Sequence, residues 1–390
     1  MLGADGLSGA RGAKQDKEAL NLSEKVKIIN VIKQGDNYFA TIENNPFYPD
    51  GKGGQLGDRG KIDIAEVLGT TETGVILNKH LNPGEYFYEI DKKRRFDIAQ
   101  QHTGQHILSA AFERIGSLKT VSFKMGEEYS TIDLDGQNIE EELLNKAQEL
   151  SNDIISKCIE VEEIYTDKER AQKYNLRKPL SDKISGEVRL IKIDDFDISA
   201  CGGFHVKNTG NINLLKITNT EKVKGNLTRV YFLAGLRAIN DYSQKDSILK
   251  NNSSILTSGL YDLENKVESL LNENKDYKNR MKKLAEKNAY YLAKDLIEKA
   301  LVVNKNKIVY YKKEDETADF LHKYVDLKDY TLIVEDEKDK TFSIFSKNIN
   351  CKELIEKLKT NNNIKGGGSE VRGNISGDIK LEDILKILEK

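Results

Sequence analysis

The chain has 390 residues, of which 32% are charged and 38% are hydrophobic, and its formal net charge is −2. These proportions are typical of a globular protein of two or three domains, and they exclude a strongly basic surface over the whole molecule. No run approaches the ~18 apolar residues of a membrane span, and no signal-peptide pattern opens the chain. With only three cysteines, two of them isolated, we expect a cytoplasmic protein without disulfides.

The N-terminal part divides into a leader and a β-rich segment. Residues 1–21 are rich in small residues and lack periodicity, so we predict a disordered leader. Residues 22–88 predict a β-barrel subdomain, because short apolar runs alternate with turn signals such as Gly-Asp-Asn at 35–37. The predicted strands are 26–29, 38–42, 60–62 and 74–77.

A loop at residues 45–58 interrupts these strands and contains Gly53-Gly54-Gln55. Its glycines and prolines disfavour regular structure and allow the backbone to approach a ligand closely. No Lys-Ser/Thr pair follows the glycines, so the loop is not a phosphate-binding P-loop. A simple series of turns is the plainer interpretation of the same residues.

Two short pairs of metal-ligand residues hold three of the five histidines. His102 and His106 lie one turn apart on a predicted helix at 96–115, so their imidazoles share a face. Cys201 and His205 flank a Gly-Gly turn that lets their side chains converge. Together the four residues predict a zinc site, which would be structural with four protein ligands and open to a substrate with three. The His-x-x-x-His pair lacks the glutamate of zinc proteases, and no Pro-Cys-x-x-Cys pair of a nucleobase deaminase is present.

The rest of the chain alternates helices and strands. A heptad pattern runs over 260–291, at ten positions that are leucine, valine, tyrosine, methionine or asparagine. The pattern leaves open a dimeric coiled coil or an intramolecular helical hairpin. A Gly-rich turn is predicted at 365–369. The remaining predicted helices are 141–158, 351–358 and 381–388, and the remaining strands are 188–193, 213–217, 227–234, 308–311, 330–334 and 341–345.

Basic residues lie on both sides of the predicted zinc site in the sequence. They are a run at 92–95 (Lys-Lys-Arg-Arg) and four separate residues, Lys216, Lys222, Lys224 and Arg229. Solvated surface is the plainer interpretation; contacts to nucleic-acid phosphates, which position a substrate without reading bases, are the alternative that we favour.

Three blocks in fixed order resemble a known family. The loop Asn45-Pro-Phe-Tyr-Pro-Asp-Gly-Lys-Gly-Gly-Gln55, the helix motif His102-Thr-Gly-Gln-His106 and the turn Cys201-Gly-Gly-Phe-His205 are similar to the editing domain of alanyl-tRNA synthetase. The glycine run at 365–369 looks like the C-terminal domain that these synthetases share with DHH-type phosphoesterases. The resemblance spans roughly residues 22–390, and only about 20 residues lie upstream of it, so the chain resembles the free-standing long AlaX-type trans-editing proteins.

The resemblance implies a zinc-dependent hydrolase that cleaves the ester of serine, and of glycine as a second substrate, on mischarged tRNA(Ala). It implies that His102, His106, Cys201 and His205 are the metal ligands. It also implies that Gln55 and Thr103 line the amino-acid pocket as the catalytic residues. Phe204 departs from the family, which usually has threonine at this place in the turn.

We therefore expect an α+β protein with a small β-barrel subdomain (22–88), a zinc-containing α+β editing core (89–240), a long helical, coiled-coil-like connector (241–300) and a C-terminal α/β domain with a Gly-rich motif (301–390). The expected partners are Zn²⁺, mischarged tRNA(Ala) and a second copy bound through the 260–291 helix or the C-terminal domain. The alternative function is a non-catalytic tRNA-binding or dimeric interaction module with a structural zinc.

Overall fold

The computed structural model describes residues 24–180, 186–361 and 364–389, and the leader predicted at 1–21 lies outside them. The chain divides between Ile248 and Leu249 into two compact units. None of the helices in the described part of the chain is both long enough and apolar enough to cross a membrane.

The first unit begins with a closed barrel, which confirms the predicted β-barrel and the predicted α+β class. Neighbouring strands follow the order β1-β2-β5-β4-β3-β6, and β1 returns to pair with β6. Alternate residues such as Val26 and Ile28 point inward and are buried, because successive side chains of a strand face opposite sides. Sequence analysis did not predict β4 and β6. The strands are β1 (Lys25–Gln34), β2 (Asn37–Glu43), β3 (Gly60–Ile62), β4 (Ala65–Thr70), β5 (Gly74–Leu77) and β6 (Gly84–Ile90).

The rest of this unit surrounds one helix. The elements are α1 (Lys92–Gly116), β7 (Thr120–Met125), β8 (Ser130–Leu134), α2 (Glu141–Ser156), β9 (Val161–Asp167), α3 (Lys168–Ala171), β10 (Glu187–Ile193), β11 (Asp197–Ala200), β12 (Leu215–Val223), β13 (Leu227–Ala234) and α4 (Leu236–Ile255). They form the sheets β12-β13-β8-β7 and β11-β10-β9. Helix α1 contacts strands of both sheets, and every residue from Ile98 to Phe112 is buried.

Two glutamines of α1 are buried together with its apolar side chains, and backbone groups satisfy their amides. Gln101 donates to the carbonyl of Ala234 (2.6 Å) and accepts from the N–H of the same residue (3.0 Å). Gln100 donates to the carbonyl of Asn211 (2.7 Å). A buried amide costs free energy unless it is hydrogen-bonded, so these contacts fix the rotation of α1 against the end of β13.

The second unit is built on a mixed sheet in the order β14-β15-β16-β17-β19-β18. Helices α6 and α7 pack on one face, and α5 packs on the other. The elements are α5 (Leu263–Glu298), β14 (Leu301–Val303), β15 (Asn306–Lys312), β16 (Tyr330–Asp336), β17 (Thr341–Phe345), α6 (Cys351–Asn361), β18 (Ile364–Gly368), β19 (Arg372–Gly377) and α7 (Leu381–Leu388).

The glycine run at 365–369 is an edge strand, so the prediction of a turn there was wrong. Residues Ile364 to Gly368 pair in antiparallel register with β19. The physical reason for glycine at 366 is close cross-strand contact, since a Cβ there would lie 2.6 Å from the carbonyl oxygen of Asn374. At Gly367 a Cβ would meet no atom within 4 Å.

Helix α5 covers most of the heptad pattern, and its surroundings change along its length. From Ala285 onward, Ala289 and Ala293 are buried against the sheet of the same unit, and Asn288 donates to the hydroxyl of Thr317 (3.2 Å). Before Ala285, apolar side chains such as Val267 and Met281 are exposed. The coiled coil stays a prediction, and the part of α5 before Ala285 is free to form one.

The two neighbouring glycines of β18 give a matched test of the fold. We expect Gly366→Ala to lower the free energy of unfolding by about 1–3 kcal/mol, because its methyl group overlaps a backbone carbonyl. Gly367→Ala should stay within about 0.5 kcal/mol of the parent protein, since its methyl group enters open space. Urea unfolding of both variants measures the difference, and equal stability of the two would contradict the close cross-strand contact.

Candidate metal centre and active site

Four side chains of the first unit bring their donor atoms together. One ligand atom from each of His102, His106, Cys201 and His205 lies within 4.8 Å of the other three. The Cys201 Sγ lies 3.4 Å from His102 Nε2 and 3.3 Å from His205 Nε2. Donors around a tetrahedral zinc, with Zn–N near 2.0 and Zn–S near 2.3 Å, are about 3.5 Å apart. The donor set and its spacing therefore fit a zinc ion.

The ring of His102 is oriented by Gln55. Its Nδ1 lies 2.7 Å from Gln55 Oε1, and the Phe204 N–H donates to the same oxygen (3.0 Å). An amide oxygen can only accept, so the proton of the neutral His102 lies on Nδ1 and its Nε2 is left for the metal.

The ring of His106 is oriented by Asp197. The His106 Nδ1 donates to Asp197 Oδ2 (2.9 Å), and the Arg177 Nε donates to Asp197 Oδ1 (2.6 Å). The Asp197 side chain is completely buried. A carboxylate behind a histidine ligand fixes its tautomer and raises its basicity, so this pair supports metal binding by His106. Sequence reasoning missed Asp197, although its place four residues before Cys201 was the available signal.

The ring of His205 rests on Thr103. Its Nδ1 lies 3.1 Å from Thr103 Oγ1, which also accepts from the N–H of Val206 (3.1 Å). Thr103 is completely buried. The Thr103 hydroxyl, which lies on α1, therefore orients the ring of His205 in this structure.

The protonation of the cluster suits metal binding. Burial opposes ionisation of Cys201, but the imidazoles of the three histidines around its Sγ lower its pKa to about 2. Burial lowers the pKa of His205 to about 3 and also lowers the pKa of His102. Burial opposes protonation of His106 too, but Asp197 raises the pKa of this ring to about 9. A thiolate and neutral imidazoles are the ligand forms, so a metal at His106 would displace one proton.

The backbone of Gly203 presses against this cluster. A Cβ at Gly203 would lie 2.2 Å from His102 Cε1 and 2.4 Å from Gln55 Oε1, whereas at Gly202 it would meet nothing within 4 Å. The Arg189 guanidinium donates to the carbonyls of Cys201 (3.1 Å) and Gly203 (2.7 Å). Only glycine fits at 203, and Arg189, which sequence reasoning did not identify, holds the turn in place.

Gln55 has a free donor beside the cluster. The residue is 1% exposed, and its Nε2 has no hydrogen-bond partner in the described part of the chain. An unsatisfied buried donor costs about 1–3 kcal/mol. The arrangement therefore offers an amide N–H to an acceptor from outside the protein.

Two arginines fasten the Gln55 loop to the start of α1. Arg95 pairs with the buried carboxylate of Asp58. Arg94 donates to the carbonyl of Gly57 (3.1 Å) and pairs with Glu127 through two hydrogen bonds. Protein carboxylates engage both guanidinium groups in this structure, and the predicted contacts of these arginines to phosphates stay a prediction.

The other predicted phosphate contacts differ in their surroundings. Arg229 is paired with Asp133 and Glu221. The lysines among the predicted phosphate contacts are all exposed: Lys92, Lys93, Lys216, Lys222 and Lys224.

Comparison with known proteins gives matches over the site and beyond it. Residues 188–231 match the family model of the threonyl and alanyl tRNA synthetase second additional domain. The alanyl-tRNA editing protein AlaX-L of Pyrococcus horikoshii is 28% identical, over 93% of this chain and 94% of that protein. The alanyl-tRNA editing protein Aarsd1 of Bos taurus is 32% identical over 66% of this chain, and the alanine–tRNA ligase of Pyrococcus abyssi is 28% identical over 93% of it.

The matches cover different shares of these relatives. This chain spans 57% of the bovine protein and 42% of the ligase, but nearly all of AlaX-L. The resemblance drawn from the three sequence blocks is confirmed: the chain matches the second additional domain of threonyl and alanyl tRNA synthetases over residues 188–231, and it is similar over almost its full length to the alanyl-tRNA editing protein AlaX-L.

Proposed function

We propose that the protein is a zinc-dependent, cytoplasmic deacylase that hydrolyses the ester of mischarged Ser-tRNA(Ala), and of Gly-tRNA(Ala) as a second substrate. The observation that carries the proposal is the buried, unpartnered Nε2 of Gln55 beside four convergent metal-ligand atoms. The relatives whose names describe alanyl-tRNA editing support the same reaction.

His102, His106, Cys201 and His205 would hold the zinc ion. When bound, zinc supplies Lewis acidity for the hydrolysis of an ester. The chain's own contribution is to hold the three imidazoles with their Nε2 atoms inward, through the hydrogen bonds at their Nδ1 atoms.

Gln55 would bind the substrate through its Nε2. Its Oε1 is occupied by His102 and Phe204, so the amide cannot turn to present its oxygen without losing both bonds. We assign the Nε2 as the donor to the hydroxyl oxygen of the seryl group. A site built to hydrogen-bond a substrate hydroxyl discriminates strongly against an analogue that lacks it, because the buried donor is then left unpaired. Correctly charged Ala-tRNA(Ala) would be spared for this reason, and the glycyl ester, which lacks the hydroxyl too, would be hydrolysed more slowly than the seryl ester.

Thr103 would act through His205. Because its hydroxyl is buried and bonded to His205 Nδ1 and the Val206 N–H, it orients a metal ligand rather than exposing a group to the amino acid. Its catalytic role, like that of Gln55, stays a prediction.

The exposed lysines would contact the tRNA. Lys92 and Lys93 begin the helix that carries the histidine pair, and Lys216, Lys222 and Lys224 lie on or beside β12. Contacts from such residues to phosphates position the 3′-end without reading its bases.

The alternative, a tRNA-binding module with a structural zinc, is favoured by one observation. All four donor atoms converge, and four protein ligands close a zinc site. The free donor of Gln55 favours the enzyme, since a closed structural site has no use for it.

The activity test uses Ser-, Gly- and Ala-charged tRNA(Ala), with and without a chelator. We expect loss of the seryl ester and protection of the alanyl ester, and we expect the chelator to abolish the hydrolysis.

Gly203→Ala should slow the reaction about 10²-fold, because its methyl group displaces His102 and Gln55. Gly202→Ala, which adds the same methyl group in open space, is the matched control. No release from any substrate by folded, zinc-loaded protein would favour the binding module.

A second test addresses metal binding alone. We expect Asp197→Ala to weaken zinc affinity about 10–100-fold, because His106 loses the acceptor that orients it. Asp195→Ala, at an exposed position in the same hairpin, should leave the affinity unchanged. Competition with a chromophoric chelator measures both, and equal affinity of the two variants would show that Asp197 does not support a ligand.

The exposed part of α5 before Ala285 would pair two copies of the chain. Its exposed apolar residues include Val267, Leu271, Tyr277, Met281 and Leu284. Sedimentation velocity should return a dimer for the parent protein and a monomer for Met281→Asp, which places a charge at a heptad position. A strictly monomeric parent protein would end the dimer proposal.

A further inference from the structure

Phe204 touches each of the three segments that build the site. Its ring lies against the ring of Tyr48 in the Gln55 loop, with centroids 4.9 Å apart. The guanidinium carbon of Arg95, in the first turn of α1, lies 4.6 Å from the centroid of the Phe204 ring. Its own N–H donates to Gln55 Oε1 (3.0 Å). One residue of the Cys201–His205 turn thus contacts both of the other segments.

Tyr48 and Arg95, which both contact Phe204, are linked to each other through Asp58. The Tyr48 N–H donates to Asp58 Oδ2 (2.8 Å), and the Arg95 Nε donates to Asp58 Oδ1 (3.0 Å). The Asp58 side chain is completely buried. Asp58 therefore holds Tyr48 and Arg95 in place, and Phe204 packs against both of them.

Gln55 depends on such a fixed surrounding. Its Nε2 is buried without a partner, and an unsatisfied donor favours any rearrangement that gives it an acceptor or water. Its Oε1 is held by two N–H groups, one of which belongs to Phe204. A shift of the turn away from the loop would remove that second bond and allow the amide to rotate.

We propose that Phe204 is a positioning residue, whose ring locks the Cys201–His205 turn to the Gln55 loop and to α1 so that the Gln55 amide stays aimed at the substrate. The flat face of an aromatic ring attracts a guanidinium group and packs against a second ring, and threonine has neither property. In this chain the ring therefore supplies an attachment that a threonine at the same place could not.

Hydrogen exchange tests the attachment without reference to activity. In Phe204→Thr we expect amide exchange across residues 45–58 to accelerate by about tenfold or more, because local opening of the loop becomes easier. Exchange in helix α2 should not change. Phe204→Tyr, which keeps the ring, should restore the protection of the loop.

A matched control comes from a second ring and guanidinium pair in the same unit. The guanidinium carbon of Arg114 lies 4.7 Å from the centroid of the Phe196 ring. Phe196→Leu removes that pair and should leave the exchange of residues 45–58 unchanged. If Phe204→Thr does not fold, Phe204→Leu, which keeps most of the volume, carries the same expectation. Unchanged loop protection in the folded Phe204 variant would overturn the proposal.

The kinetic readout rests on the proposed function, and the exchange readout does not. We expect Phe204→Thr to lower kcat/KM for Ser-tRNA(Ala) about tenfold through a higher KM, the pattern of a contact to the seryl hydroxyl that is made in the ground state and the transition state alike. Equal losses in kcat/KM for Phe204→Thr and Phe204→Tyr would also count against the ring. If the parent protein hydrolyses nothing, the exchange result still decides whether Phe204 holds the loop.

Discussion

The site depends on one constraint, which is that the Nδ1 of each clustered histidine is already engaged. The three partners are Gln55, Asp197 and Thr103. Because an imidazole has two nitrogens, fixing the outer one turns the other toward the centre, and all three rings then face one thiolate. These partners come from a barrel loop, a β-hairpin and α1, so the cluster forms only when those elements are packed together. The barrel is in this sense part of the site, although it contributes no metal ligand.

The convergence of the four candidate metal ligands could be predicted because their signal is local. A spacing of four on a helix places two rings on one face, and a Gly-Gly turn brings a cysteine and a histidine together. The residues that orient the rings could not be predicted in the same way. The bonded pairs are separated by 47 residues for Gln55 and His102 and by 91 for His106 and Asp197. No periodicity spans such distances, so only the folded chain shows which carboxylate or amide lies behind which ring.

The composition of a segment does not say what its residues touch. A glycine run reads as a turn because glycine is favoured there, but at Gly366 the glycine is required by a neighbouring strand. A basic run reads as a phosphate contact because arginine is favoured there, but Arg94 and Arg95 are held by carboxylates of the same chain. The barrel was predictable from its hairpin, whereas β4 and β6 became visible only as the strands that close it.

The Gln55 loop contains a small turn, residues 51–55, that is closed by its own backbone hydrogen bonds. The Gly51 N–H donates to the carbonyl of Gln55 (2.9 Å), and the Gly54 N–H donates to the carbonyl of Gly51 (3.2 Å). Residues 51–53 at the tip are exposed, and a Cβ at Gly51 would meet no atom of the described residues within 4 Å. Loop length is thereby uncoupled from the place of the Gln55 amide. The tip is a point where the chain can gain or lose residues during evolution, or carry an attached fluorophore, while the chemistry at its base is preserved.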